Sequence, residues 1–256
     1  MSESSEKQTH LPPEDAKIAP RGYYVALSFH PPIKLERKRA LEYAATLADY
    51  VDPQNVSLDD QEWVFSQPIS GSARSQFKVV IRPNRLQIHA DFPKQAKEWF
   101  EDRQLTVMES FGERFSPKLI LQSAAMIRGT LPIDGDARIF LARRVMNITE
   151  DPFRPLGRPI HVIGLRFVFP PFQVAGREGK EVTDWLVEVK AESLAEDPSQ
   201  LYLEADARWA QPIPWCSESL AKVVEQQDDV SRYLETNVAG FLRQAARGEG
   251  GPNDSD

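Results

Sequence analysis

From Tyr23 to His30 every second position is apolar, at Val25, Leu27 and Phe29, and the run stops at Pro31-Pro32. A period of two marks a strand with one covered face, and the prolines end it because neither can donate to a ladder. The period then changes. Leu41, Ala44, Leu47, Ala48 and Val51 share one stripe, which predicts a helix over Leu35 to Val51. DPQNVSLDD reads as a loop, and EWVFSQ as a strand. In QFKVVIRPNRLQIHADF, Phe77, Val79 and Ile81 alternate, Pro83-Asn84 turns, and Leu86, Ile88 and Ala90 alternate back, which predicts a hairpin. Lys94 to Phe115 carries Phe100, Val107, Met108, Phe111 and Phe115 at core spacing, with Pro117 just beyond, and is the second helix. LILQSAAMIRGTLPI is a long strand; a third helix, capped by Asp134 or Asp136, runs through Met146.

TEDPFRPLGRP, Thr149 to Pro159, has three prolines and a glycine and reads as a joint. After it the order partly repeats. GLRFVFPPF echoes VALSFHPPI, VTDWLVEVKAES and LYLEADARW are paired strands, and SESLAKVVEQQDDVSRYLETNVAGFLRQAA is a long helix whose stripe includes Leu220, Val223, Val230, Leu234, Val238 and Phe241. The expected division is a tail over 1–20, a first α+β half over 21–150, a linker over 151–160, a second half over 161–246 and a tail over 247–256. Both tails are too poor in large apolar residues to repay the entropy of ordering. The fold class is α+β: two related halves, read as an internal duplication, forming an extended, mainly antiparallel twisted sheet with long helices on one face.

Composition narrows the function classes. At 256 residues and 41% apolar the chain folds around a core, and a net charge of −7 argues against a surface that tracks phosphates, so nucleic acid is a minority reading. The single cysteine, Cys216, allows no internal disulfide and no cysteine-based zinc knuckle. The acidic, polar N-terminus is unlike a signal peptide, and no run approaches the roughly 18 apolar residues of a membrane helix. The expectation is a cytoplasmic protein without a membrane contact.

Two phrases carry a resemblance. QSAAMIRGTLPI and LYLEADARW, the latter with Asp206 in the matching acidic place, resemble strands of a sporadically distributed family of uncharacterised bacterial proteins, over about Tyr23 to Gln244. Where that family carries a His and then a Phe in its last helix, this chain has Gln227 and Leu234, and its Asn-Arg pair is absent around Arg128 and Gly129. The resemblance implies a bacterial protein of duplicated α+β architecture, fitting an accessory component of a mobile or defence-related gene cluster. It implies no catalytic residue.

Signatures of phosphate loops, dinucleotide folds, zinc proteases and serine hydrolases are missing. Gly176 and Gly179 in AGREGK lead into a strand rather than a helix and read as an exposed turn. What remains is the polar side of the strands. Tyr202, Glu204, Asp206 and Arg208 alternate with Leu201, Leu203, Ala205, Ala207 and Trp209, and Arg85, Gln87, His89 and Asp91 alternate with Leu86, Ile88 and Ala90. Such a pattern belongs to an antiparallel sheet covered on one side only. His89 and Asp91 could share a metal with His30 or act as an acid–base pair, and Glu204 with Asp206 could hold a cation. Solvated charges paired with neighbouring Lys and Arg are the leading reading.

The expected function is therefore a non-catalytic binding or assembly protein of the bacterial cytoplasm. It would engage a protein partner or a second copy of itself through the exposed face or an edge, using those eight residues, with no cofactor and no metal. Two rivals stand beside it. One is a carboxylate- and histidine-dependent metal hydrolase or nuclease. The other, ranked last for want of paired aromatic and basic residues on the strands, is an RNA-binding protein of duplicated ferredoxin-like units.

Overall fold

The computed structural model describes residues 16–52, 55–69, 74–148, 157–176 and 179–247, with side chains throughout except at 172–176 and 179–183. Residues 1–15 and 248–256 of the expected tails, and 149–156 of the expected joint, lie outside the described residues.

The Val25-Leu27-Phe29 alternation becomes β1 (Ala19–His30), which begins two residues inside the expected N-terminal tail. The first helix is shorter than its stripe suggests: α1 (Arg37–Thr46) buries Ala40, Tyr43 and Ala44 and leaves Leu41 half exposed. Tyr43 decides that rotation. Its ring packs against Phe65, Phe111 and Phe115, and its hydroxyl donates to the Val107 carbonyl at 3.0 Å, so a tyrosine fills the place that periodicity gives to leucine. The segment expected to be loop contains a short strand, β2 (Val56–Leu58), which pairs with β3 (Trp63–Pro68). The hairpin comes next as β4 (Gln76–Arg82) and β5 (Arg85–Asp91), turning at Pro83-Asn84. Then come α2 (Lys97–Phe115) and β6 (Leu119–Pro132).

The third helix is one α-turn, α3 (Ala137–Phe140), continued by a π-turn at Leu141–Val145; Asp136 caps it, accepting from the Arg138 N–H at 2.8 Å. β7 (Gly164–Phe169) is succeeded by a separate hairpin, β8 (Phe172–Gly176) with β9 (Gly179–Thr183), in which Gly176 stands opposite Gly179. β10 (Trp185–Ser193), β11 (Gln200–Trp209) and the two-residue β12 (Ile213–Pro214) return to the sheet. The last helix is α4 (Ser217–Arg232), a π-turn at Tyr233–Val238, and α5 (Ala239–Arg247). Widening the turn rotates the residues beyond it about the helix axis. Phe241, which the unbroken stripe points inward, is consequently 45% exposed.

The main sheet runs β2-β3-β4-β5-β1-β6-β11-β10-β7, with β12 added beside β6, and every neighbouring pair is antiparallel. Outward from the β1–β6 pair the order is the same in both directions. Each central strand leads through a helix to the outer strands β3 and β4, or β7 and β10, and returns to the strand beside it, β5 or β11, before a long helix. The two Pro-Pro strands do not correspond in this order: β1 is central and β7 lies at the edge.

One core joins the helices to one face of the sheet. Val25, Leu27 and Phe29 of β1, Leu86 and Ile88 of β5, Ala125 and Ile127 of β6 and Leu203 and Ala205 of β11 meet Phe100 and Phe111 of α2 and Leu220, Val223 and Val230 of α4. At about 1.5–3 kcal/mol for each large side chain removed from water, this layer dominates the stability, and it consumes one face only. The α+β class with helices packed against a large antiparallel sheet is therefore observed, and the other face is left for chemistry.

Candidate functional site

The open face is built row by row across the ladders. Gly22 lies between Asp91 of β5 and Arg128 of β6, Tyr24 between His89 and Met126, Ala26 between Gln87 and Ala124, and Ser28 between Arg85 and Gln122. Past β6, Arg128, Met126 and Ala124 face Glu204, Asp206 and Arg208 of β11. Small residues at Gly22, Ala26, Ser28 and Ala124 therefore form a floor along the two central strands, with long polar side chains standing on either side. The result is a trough of about 490 Å³, lined from β1, β5, β6 and β11.

The eight residues singled out from the sequence lie on β5 and β11, the strands that wall the trough, three strand spacings or about 14 Å apart. Arg85, His89, Asp91, Asp206 and Arg208 line the trough, whereas Gln87, Glu204 and Tyr202 do not. Two of these depart from the expectation of solvent-facing side chains: Gln87 is buried, and so is Glu204, at 6% exposure, although no helix covers them. Their neighbours do it. Glu204 is covered by the stems of the groups that bond it, Arg128, Lys190 and Tyr202, because long cationic side chains can lie across a carboxylate and keep their own heads wet.

Pattern reading missed the floor. Tyr24, Ala26 and Ser28, with Gln122, Ala124, Met126 and Arg128, alternate as regularly as the walls, but they attract no attention as chemistry. The signal was the run of small residues on the polar side of the two longest strands, which are 12 and 14 residues long and thus fit the sheet centre.

The two walls differ electrostatically. On β11 both carboxylates are paired with cations. Glu204 accepts from Arg128 Nε at 3.1 Å, Lys190 Nζ at 2.6 Å and Tyr202 Oη at 2.6 Å, and Asp206 accepts from Arg208 at 2.6 Å. Burial pushes the Glu204 pKa up, but the hydrogen bonds from Lys190 and Tyr202 and the two cations outweigh it and hold the carboxyl below its usual range. Next to it, Arg166 bonds Glu188 at 2.7 Å, extending the network to the sheet edge.

On β5 the bases are not matched. Tyr24 Oη accepts from Arg85 at 3.1 Å and from Gln87 Nε2 at 2.8 Å, and its ring meets His89 edge-on with centroids 4.5 Å apart. His89 Nε2 and Arg85 Nε are buried without a hydrogen-bond partner among the described residues. Burial, and then the charges of Lys78, Arg128 and Arg85, push the His89 pKa down to about 4, so the ring is neutral at pH 7.

His89 Nε2 makes no hydrogen bond to Asp91, so the two do not form the pair that their spacing on β5 allows. Among the described residues no group of three or more His, Cys, Asp or Glu is placed to hold a metal ion. The arrangement is suited to hydrogen-bonding and ion-pairing a ligand. The sequence matches no protein-family model and no curated protein. Among the described residues no helix is long and apolar enough to cross a membrane.

Proposed function

We propose that this chain is a non-catalytic binding protein that receives a segment of a protein partner in the trough of its open sheet face. The observation behind this reading is the small-residue floor of β1 and β6 set between polar walls. Side chains of that size on the exposed face of central strands leave room for another molecule, and the walls offer donors and charges to fix its register. The commitment of Glu204 to Arg128, Lys190 and Tyr202 favours binding over hydrolysis, since a carboxylate so engaged is a poor general base and a poor cation ligand at neutral pH. A place in a mobile or defence-related gene cluster is supported by the family resemblance alone.

Filling the floor tests the proposal. Ala124→Arg should abolish capture of the partner from the native cell, while Leu41→Lys on the far side of the molecule, half exposed on α1, should retain it. Capture that survives Ala124→Arg refutes the trough reading. Light scattering of the pure protein identifies a second copy as the partner if an oligomer becomes monomeric in the same variant.

A further inference from the structure

We propose that the β5 side of the trough is an oxyanion site, in which the Tyr24 hydroxyl and the Arg85 guanidinium donate to a carboxylate or phosphate group of the ligand; this rests on the trough being a binding site. A phenolic oxygen has two acceptor positions and one proton. Both acceptor positions of Tyr24 are taken, by Arg85 and by Gln87 Nε2, so donation is its only remaining capacity, and no acceptor among the described residues uses it. Among the described residues the Arg85 charge has no carboxylate within 4.0 Å, and Lys78, across the ladder from His89, has none either.

The nearby acids do not compensate. Asp91 lies six residues along the same strand, about 20 Å away at roughly 3.3 Å per residue. Glu204 and Asp206 are bonded to their own bases. This end of the trough is therefore positive in a chain whose net charge is −7. A cation in this end of the trough would meet the unmatched Arg85, whereas an oxyanion would meet a proton donor and that charge. Both bonds are strengthened by the ionised acceptor, and Arg85 adds a full opposite charge to its own, which makes it the larger contributor.

Titration calorimetry of the pure protein at low ionic strength with inorganic phosphate and with glutarate tests this. At least one of them should bind, with a loss of about tenfold, or about 1.4 kcal/mol, in Arg85→Gln and a smaller loss in Tyr24→Phe, which keeps the ring against His89. Arg37→Gln on α1 should change nothing. Binding of glutarate alone assigns the site to carboxylates, and of phosphate alone to phosphorylated groups. Absence of binding by both anions up to about 50 mM, or binding that is unchanged in both Arg85→Gln and Tyr24→Phe, overturns the site. Partner capture distinguishes the two proposals: loss in Ala124→Arg with full retention in Arg85→Gln and Tyr24→Phe leaves the trough standing and removes the oxyanion site.

Discussion

Arg128 and Glu204 stand directly opposite one another on neighbouring strands, and the Arg128 Nε–H donates to Glu204 Oε2 at 3.1 Å. The pair joins the central strand β6 to β11, the strand that returns beside it, and Lys190 and Tyr202 complete the shell of the carboxylate. Its pKa is depressed on folding, so its contribution is fully present above the ordinary glutamate value of 4.5 and is lost as the pH falls through the lower folded-state value. Glu204→Gln should flatten the acid limb of the stability curve in urea titrations below the ordinary glutamate value of 4.5. Glu204→Ala should cost about 1.5–3 kcal/mol at pH 7, the range for hydrogen bonds to a charged group. An unchanged acid limb in Glu204→Gln would show that the buried carboxylate is not linked to folding.

His89 has the opposite logic with the same outcome in acid. Its folded pKa of about 4 lies below the ordinary histidine value of 6.5, so the unfolded chain takes up the proton first and stability falls between those two values. At about 1.4 kcal/mol per unit the loss from this one ring is on the order of 3 kcal/mol. His89→Gln should therefore lose less stability than the parent between about pH 7 and pH 4. Lys78→Gln should raise the His89 pKa, read from its ring resonances by NMR, because one of the three cations that depress it is gone.

The period of the apolar residues made the strands and their covered face legible, since burial on one side is written directly into alternation. The walls of the trough were legible for the same reason. Three things were not. Leu41 and Phe241 were misplaced because the actual helix faces depend on Tyr43 finding a carbonyl and on a π-turn at Tyr233–Val238, neither of which leaves a periodic trace. The neighbours of each strand are a tertiary property: β1 and β7 share a phrase yet sit at the centre and the edge of the sheet. The burial of Glu204 depends on side chains from β6 and β10 that are 76 and 14 residues away along the chain.

Gln104 of α2 and Gln227 of α4 are fully buried, and neither amide has a hydrogen-bond partner among the described residues. An unpaired amide held away from water costs roughly 1–3 kcal/mol, whereas an unbranched apolar side chain of similar shape makes no such demand. Gln104→Met and Gln227→Met should each raise the urea midpoint without changing its slope. A lowered midpoint in both variants would mean that the amides are satisfied in solution.

The indole of Trp215 rests on the bare Cα of Gly112. A β-carbon built on Gly112 would lie 2.5 Å from Trp215 Nε1, and the indole cannot easily retreat, since its ring packs against Phe29 and Phe111 with centroids 6.2 and 5.5 Å away. Two effects compete in Gly112→Ala. Alanine in a helix interior gains about 0.5–1 kcal/mol over glycine, but a methyl group forced into a packed core costs about 1–3 kcal/mol. The clash should win, giving net destabilisation in denaturant titration. Because the damage comes from one neighbour, Trp215→Phe should relieve it: the double variant should be less destabilised than the two single losses added together, with a coupling of about 0.5 kcal/mol or more. Strict additivity would mean that Gly112 is required by the helix itself and not by the tryptophan that closes over it.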